Sequence, residues 1–275
     1  MSGSVVRPTG KTGRLLAANA WLVYLFFYAP IVVLVIYSFS DSRNVGVWGG
    51  FTLDWYEDFG NSRQAKGALT NSLKVAVAST VVAVVLGTMS ALAIERYRFR
   101  GRAFFDALLY LPVIVPDVTM AVMLLLFFAE AASLFGFSKG FATITLSHIA
   151  FSISFVSIVV RARISGMSEQ LEEAAMDLYA TRRQAFRYVT LPAIMPGITG
   201  GALLAFTLSL DDVVITEFVT GPGWTTLPVF VFGLIRKGVT PLINAISVIM
   251  LIASMGLVAL SLLAERARGD RGSEA

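Results

Sequence analysis

Long apolar runs separated by short polar segments dominate the chain. Six of these runs meet or approach the roughly 20 apolar residues that a membrane-spanning helix requires. They cover residues 15–39, 69–94, 104–128, 141–160, 191–211 and 242–264. The pattern therefore predicts an all-α membrane protein with six transmembrane helices, organised as one transmembrane domain over residues 1–275.

Two segments between the runs have their own patterns. Residues 40–68 contain Trp48, Trp55 and Tyr56 among several charges, which predicts an ordered loop with aromatic residues at the membrane–water interface. Residues 227–238, LPVFVFGLIRKG, hold too few apolar positions to cross a bilayer. They predict a short interfacial helix or a re-entrant segment.

The composition supports a membrane protein and argues against several other classes. Hydrophobic residues make up 56% of the sequence and charged residues 15%, against roughly 25% charged in soluble domains. The net charge of +4 comes from short basic clusters, without the continuous basic face that nucleic-acid binding requires. With no Cys and one His, the chain lacks thiolate ligands and a His pair for zinc. We therefore expect no metal, no cofactor and no catalytic centre.

The basic residues predict the orientation. Fifteen of the 22 Lys and Arg lie in segments that share one side of the membrane with the N-terminus. Because Lys and Arg accumulate in cytoplasmic loops, this distribution places both termini in the cytoplasm.

A charged module lies between the fourth and fifth runs, and its first half predicts a helix. Ser168 is placed to cap this helix, whose first turn carries Glu169, Glu172 and Glu173 near the positive end of the helix dipole. Apolar residues then recur at i, i+3, i+4 and i+7: Leu171, Ala174, Ala175 and Leu178. One face of the helix is apolar and small, and the other is acidic.

The second half of the module predicts another short helix. Thr181 and Gln184 have the spacing of a capping box, and Pro192 marks where the chain turns into the fifth run. Periodicity alone is compatible with a solvated pair of surface helices. The position of the pair between two spans favours a docking element on the cytoplasmic side.

The module resembles the EAA loop of bacterial ABC-importer permeases. Glu173-Ala174-Ala175, Asp177-Leu178 and Thr190-Leu191-Pro192 follow the family pattern EAA-x3-G-x9-I-x-LP, and they precede the penultimate span. The resemblance implies a type I importer fold in which this loop, about residues 165–190, is a coupling helix that docks in a cleft of an ATPase subunit. It assigns the ATPase coupling to Glu172, Glu173, Ala174, Ala175, Asp177, Leu178, Tyr179, Leu191 and Pro192.

Two residues depart from the family pattern, and one of them, Val189 in place of Ile, is conservative. Tyr179 stands where the family usually has Gly, at a place suited to the left-handed conformation that ends a helix. Two alternatives follow: a different turn between the helices, or a tyrosine side chain that contributes to the ATPase contact.

Two further segments resemble permeases of spermidine/putrescine importers: LYLPVIVPDVTMAV at 109–122, and SLDDVVITEFVTGPGWTTLPVFVFGLIRKGVTPLINA at 209–245. The resemblance implies a multi-pass subunit of the bacterial inner membrane that pairs with a second, different permease subunit. It also implies a pair of ATPase subunits and a periplasmic or lipid-anchored binding protein that delivers the solute. ATP hydrolysis then belongs to a partner, so the chain is not itself an enzyme. Permeases for other small solutes share this outline.

Three carboxylates and one tryptophan are predicted to line the solute path. Asp117 lies about 13 residues into the third run, roughly 20 Å at helical rise, which places it past the midplane. Asp211 and Asp212 end the fifth run, where hydration of a helix end explains them equally well. If the solute is a polyamine, these carboxylates together with Trp224 offer ionic hydrogen bonds and a cation–π contact to an ammonium group.

An ion-driven secondary transporter is the alternative from another class. The sequence shows no internal repeat and few acidic or proton-relay residues in the runs, which argues against it. His148 has no second His beside it, so a packed, hydrogen-bonded histidine is favoured over a proton relay. Gly197, Gly200 and Gly201 predict close helix packing, within the bundle or against the partner permease.

Overall fold

The structure, a computed structural model, describes residues 11–44, 46–168, 170–238 and 240–273. These residues are mostly helical, with one isolated antiparallel bridge between Ser40 and Phe51. The helices are α1 (Lys11–Tyr37), α2 (Asp54–Asn61), α3 (Arg63–Arg96), α4 (Arg102–Ile114), α5 (Asp117–Phe135), α6 (Phe141–Ser165), α7 (Gln170–Asp177), α8 (Arg182–Ala185), a π-helical turn (Phe186–Thr190), α9 (Leu191–Asp211), α10 (Val214–Val219), α11 (Leu227–Lys237) and α12 (Pro241–Ser273). The all-α prediction is confirmed.

Five stretches of helix are long and apolar enough to cross a membrane, and a shorter apolar stretch, Pro241–Gly256, lies in α12. The five are Gly13–Tyr37, Arg63–Arg96, Asp117–Phe135, Phe141–Ser165 and Arg182–Asp211. Together with the shorter stretch they correspond to the six predicted runs, and the predicted fifth run, 191–211, coincides with α9. The segment predicted at 227–238 forms the helix α11, which has 11 residues.

The third run was predicted as one continuous helix over 104–128, and this prediction is wrong. The helix is interrupted before Pro116. Proline has no N–H and disfavours the helical conformation in the residue before it. Val115 is accordingly extended, with φ −73° and ψ 129°. Asp117 is therefore the first residue of the separate helix α5. It does not lie 13 residues into a continuous helix, as was predicted. Pro112, by contrast, lies inside α4.

The described residues form two compact units. The first contains residues 11–61 and 234–252, without residues 45 and 239. The second contains residues 62–233 and 253–273, without residue 169. The organisation as a single domain stays a prediction.

In the first unit, the segment after α1 is ordered by aromatic side chains, as predicted. The hydroxyl groups of Ser38 and Tyr56 lie 2.7 Å apart, and the Trp55 indole donates a hydrogen bond to the Ser40 carbonyl at 2.8 Å. The ring of Phe39 lies 5.3 Å from that of Tyr56. These contacts fix the path of the chain between α1 and α2.

In the second unit, α3, α6 and α9 pack against one another at small residues. A Cβ added at Gly87 would lie 2.7 Å from Cβ of Val156, so α3 can approach α6 this closely only with glycine there. Gly201 of α9 lies over the same Val156, and Gly197 lies over Arg163. The small residues of the fifth run therefore serve the chain's own bundle.

The second unit has two distinguishable ends. At one end, which we call the α7 end, Arg161 of α6 contacts Glu95 of α3, and Arg163 contacts the carbonyl of Ala193 near the start of α9. At the other, the α10 end, the side chain of Thr143 near the start of α6 donates to the carbonyl of Val219. The helices α3 and α6 thus run in the same direction, and α9 runs opposite to them.

The chain continues from α8 through the π-helical turn into α9 as one helical rod, Arg182–Asp211. The predicted turn at Pro192 is therefore wrong. Pro192 cannot donate a backbone hydrogen bond, and the wider π-helical turn lies directly before it. The chain does not change direction here as expected. It only changes its helical winding, from α-helical to π-helical and back.

Candidate functional site

The charged module folds into α7 and α8, as the capping residues predict. The hydroxyl of Ser168 accepts a hydrogen bond from the backbone N–H of Gln170 at 3.3 Å. The predicted capping box also forms, because Thr181 N–H donates to Gln184 Oε1 at 2.8 Å and Gln184 N–H donates to Thr181 Oγ1 at 3.3 Å. Local sequence thus determines where both helices begin.

A tight left-handed turn closes α7. Ala180 N–H donates to the Ala175 carbonyl and Tyr179 N–H donates to the Met176 carbonyl, both at 3.0 Å, the two bonds that close a helix through a left-handed residue. Tyr179 has a φ of 66°, the only positive value among the described non-glycine residues. The turn keeps the geometry suited to the family's glycine, at a cost on the order of 1 kcal/mol for tyrosine.

Glu172 faces the helical bundle. Its carboxylate makes two hydrogen bonds with the Arg96 guanidinium, at 2.8 and 2.9 Å, and the Thr190 hydroxyl donates to the same carboxylate. The side chains of Arg96 and Glu172 are 18% and 23% exposed. This residue fastens α7 to the bundle and is not available on its outer surface.

The opposite side of α7 is open to solvent. We call the exposed residues there the outer face of α7: Leu171, Glu173, Ala174, Asp177, Leu178 and Tyr179. Leu178 is 81% exposed and Tyr179 is 97% exposed. Of the other predicted coupling residues, Ala175 is half-buried, and Leu191 and Pro192 lie at the start of α9.

A cavity of about 340 Å³ lies between α7, the α8–α9 rod and the end of α3. Its lining comprises Leu92, Arg96, Tyr97, Glu172, Met176, Arg182, Ala185, Phe186 and Thr190. The inner side of α7 is therefore incompletely packed where Glu172 meets Arg96.

A second ionic cluster joins three helices at the α7 end. The guanidinium of Arg161 donates to Glu95 of α3 at 2.8 Å and to Asp106 of α4, and it lies 5.8 Å from the ring centre of Tyr110. Sequence reasoning treated Arg96 and Arg161 only as markers of the cytoplasmic side. Their partners lie 76 and 66 residues away in the chain, beyond any local pattern.

The predicted path residues have different surroundings. Asp117 and Asp211 are exposed. Asp212 is half-buried, and it accepts hydrogen bonds from Thr216 N–H and Oγ1, each at 2.7 Å, which caps the start of α10. The ring of Trp224 packs 5.0 Å from that of Phe141. Asp212 and Trp224 therefore hold local structure at the α10 end.

His148 is fully buried at the centre of a hydrogen-bonded network. Its Nδ1 lies 2.7 Å from Ser209 Oγ and its Nε2 lies 2.9 Å from Thr216 Oγ1. Ser209 Oγ is also 3.2 Å from Ser79 Oγ. The network ties α3, α6, α9 and α10 together, in agreement with the expected packed and hydrogen-bonded histidine.

Comparison with known sequences shows that the chain is similar to transport proteins. A family profile described as "Binding-protein-dependent transport system inner membrane component" matches residues 83–268. The chain is 42% identical over 248 residues to the putrescine transport system permease protein PotI of Escherichia coli (strain K12), covering 88% of each chain. It is 38% identical over 263 residues to the spermidine/putrescine transport system permease protein PotC of the same strain, covering 94% of this chain and 98% of the relative.

Structural comparison supports the fold. The chain is similar to the crystal structure of a bacterial ABC transporter involved in the import of the acidic polysaccharide alginate, with a TM-score of 0.75. The likeness covers 94% of this chain and 96% of the other at 20% sequence identity. The predicted importer fold is confirmed.

Proposed function

Since the chain belongs to the family of binding-protein-dependent transport system inner membrane components, we propose that it forms part of the membrane path of an ATP-driven importer of putrescine or spermidine. The solute class is supported by relatives at 42% and 38% identity whose names contain those polyamines. In this proposal the chain pairs with a second permease subunit, and a periplasmic or lipid-anchored binding protein delivers the polyamine.

The outer face of α7 is the docking surface for an ATPase subunit. The observation that carries this assignment is the exposure of Leu178 and Tyr179 on a helix whose other side is fastened to the bundle by Glu172. Exposed apolar side chains beside the carboxylates of Glu173 and Asp177 form a surface that a partner buries. ATP hydrolysis belongs to that partner.

Transport follows from motion of the docked helix. ATP binding draws two ATPase subunits together, one holding the docked α7 of this chain and the other holding the corresponding helix of the second permease subunit. The movement tips the membrane helices between inward-open and outward-open arrangements. The basic residues at the α7 end, which include Arg98 and Arg163, support a cytoplasmic position for α7 in the bacterial inner membrane.

The solute path includes Asp117, Asp211, Asp212 and Trp224. The exposed carboxylates of Asp117 and Asp211 are free to pair with the ammonium groups of a diamine. Asp212 and Trp224 contribute through the structure that they hold around the start of α10 and the loop that follows it.

Copurification and uptake test this function together. The tagged chain is coexpressed with a candidate ATPase, second permease and binding protein from its source organism, and the complex is reconstituted in liposomes. We expect an ATPase to copurify and labelled putrescine or spermidine to enter only with ATP and binding protein. Uptake by the isolated chain without an ATPase would instead support a secondary transporter, and uptake of another solute alone would reject the polyamine assignment.

A further inference from the structure

The contact between α7 and the bundle is concentrated on one carboxylate. Glu172 binds the Arg96 guanidinium through both of its oxygens, at 2.8 and 2.9 Å, and it also accepts a hydrogen bond from Thr190. Two parallel hydrogen bonds between a carboxylate and a guanidinium fix orientation as well as distance. The partial burial of both side chains reduces screening by water and salt.

The two partners of Glu172 belong to different helices of the core. Arg96 is the last residue of α3, the 34-residue helix that packs along both α6 and α9. Thr190 is the last residue of the π-helical turn that leads directly into α9, and it is 1% exposed. One side chain of α7 therefore contacts the ends of two of the three core helices.

Apolar packing does not replace this link on the inner side of α7. The 340 Å³ cavity lies beside it, with Leu92 of α3 on one side and Met176 of α7 on the other. Because the apolar side chains around the cavity leave this space unfilled, a displacement of α7 reaches α3 chiefly through Glu172 and Arg96.

We propose that Glu172, Arg96 and Thr190 form the link that passes movement of α7 to α3 and α9, with Glu172 and Arg96 as positioning residues for energy coupling. The inference rests on the proposed docking of α7 to an ATPase. It separates two roles within the module: the outer face binds the ATPase, and Glu172 transmits its motion. A variant that breaks this link keeps the docking surface for the ATPase. The movement of that surface no longer reaches the helices that line the solute path.

The test measures polyamine uptake per ATP hydrolysed in the reconstituted complex. Arg96→Ala and Glu172→Gln are each expected to retain ATPase copurification and ATP hydrolysis, and to lower uptake per ATP about tenfold, because the bidentate bond is lost. Arg96→Lys keeps the charge without the bidentate geometry and is expected to fall between wild type and Arg96→Ala. Arg98 is an exposed arginine two residues further along the chain. The substitution Arg98→Ala is therefore the matched control, and it is expected to keep wild-type coupling.

The reversed pair distinguishes a direct interaction from general damage. Arg96→Glu combined with Glu172→Arg is expected to recover uptake per ATP to within about threefold of wild type, whereas each single reversal stays low. The proposal is overturned if Arg96→Ala couples normally, if the reversed pair is no better than its single variants, or if the single variants lose the ATPase altogether. Failure of the wild-type complex to bind an ATPase would reject the proposed function itself, which is a separate outcome.

Discussion

Glu172 and Glu173 are adjacent in the chain and face opposite surroundings: Glu172 is bound to Arg96 at 2.8 Å, whereas Glu173 is exposed on the outer face of α7. A helix of 3.6 residues per turn directs consecutive side chains about 100° apart. The pair therefore divides the module into an anchored side and an open side, and substitutions at the two positions should have different effects.

Charge reversal at Glu173 is expected to weaken the ATPase complex. Glu173→Arg places a positive charge on a surface shaped around a carboxylate, and we expect at least a tenfold loss of ATPase affinity with the permease fold intact. Pull-down titration measures the affinity. Arg98→Glu, an equally large charge change elsewhere at the α7 end, serves as the control. Full binding and full uptake by Glu173→Arg would contradict the docking assignment.

Two substitutions separate the backbone and the ring of Tyr179. Tyr179→Gly relieves the strain of the left-handed backbone conformation. We therefore expect the unfolding free energy of the detergent-solubilised permease to rise by about 1 kcal/mol, measured by thermal unfolding. Tyr179→Ala keeps the strain and removes the ring. If the ring contacts the ATPase, both variants lose affinity, and equal affinity for wild type and Tyr179→Ala would assign no contact to it.

His148→Ala is expected to destabilise the second unit by about 3 kcal/mol, because it removes a fully buried ring together with its hydrogen bonds to Ser209 and Thr216. Thermal unfolding in detergent measures the loss. Thr145→Val is the control on the same helix, since the buried Thr145 hydroxyl has no hydrogen-bond partner among the described residues. A similar effect of both changes would mean that the network contributes nothing specific.

Gly87→Ala should force α3 away from α6. The new Cβ would lie 2.7 Å from Val156 Cβ and 3.0 Å from the Ile153 carbonyl, and we expect a loss of about 2 kcal/mol in unfolding free energy. Gly67→Ala, on the same helix with open space around it, is expected to be neutral or to gain up to about 1 kcal/mol. Equal stability of the two variants would show that the close approach is unimportant.

Neutralising the exposed path carboxylates tests the polyamine route. Asp117→Asn and Asp211→Asn each remove one charge that can pair with an ammonium group, and we expect about a tenfold drop in putrescine uptake at limiting concentration. Assembly with the ATPase is measured in parallel and should be unchanged. Normal uptake in both variants would remove these residues from the path.

The sequence was sufficient for features that depend on neighbouring residues. The bounds of α9 and the capping box at Thr181 follow from apolar run length and local hydrogen bonding. The break at Pro116 also had a local signal in the proline itself, but the uninterrupted hydropathy of the run obscured it, and Pro112 shows that a proline can remain inside a helix.

Tertiary pairings were not predictable in the same way. Nothing near Glu172 specifies that its partner is Arg96, and the helical pattern gave Glu172 and Glu173 the same role. Likewise, Asp212 and Trp224 have the chemistry to bind an ammonium group, yet the structure engages them with Thr216 and Phe141. Which of several suitable partners a polar side chain meets depends on how the helices assemble.

The extended residue before Pro116 divides the third apolar run into two separate helices, α4 and α5. Arg161 clamps α4 at the α7 end, while Ala121 and Phe128 of α5 pack in the same cluster as Ile215 and Val219 of α10. The helical hydrogen-bond ladder is interrupted between them, so α4 and α5 are not one continuous helix. The two helices of the third run are therefore held separately, α4 by Arg161 at the α7 end and α5 by the cluster that includes α10.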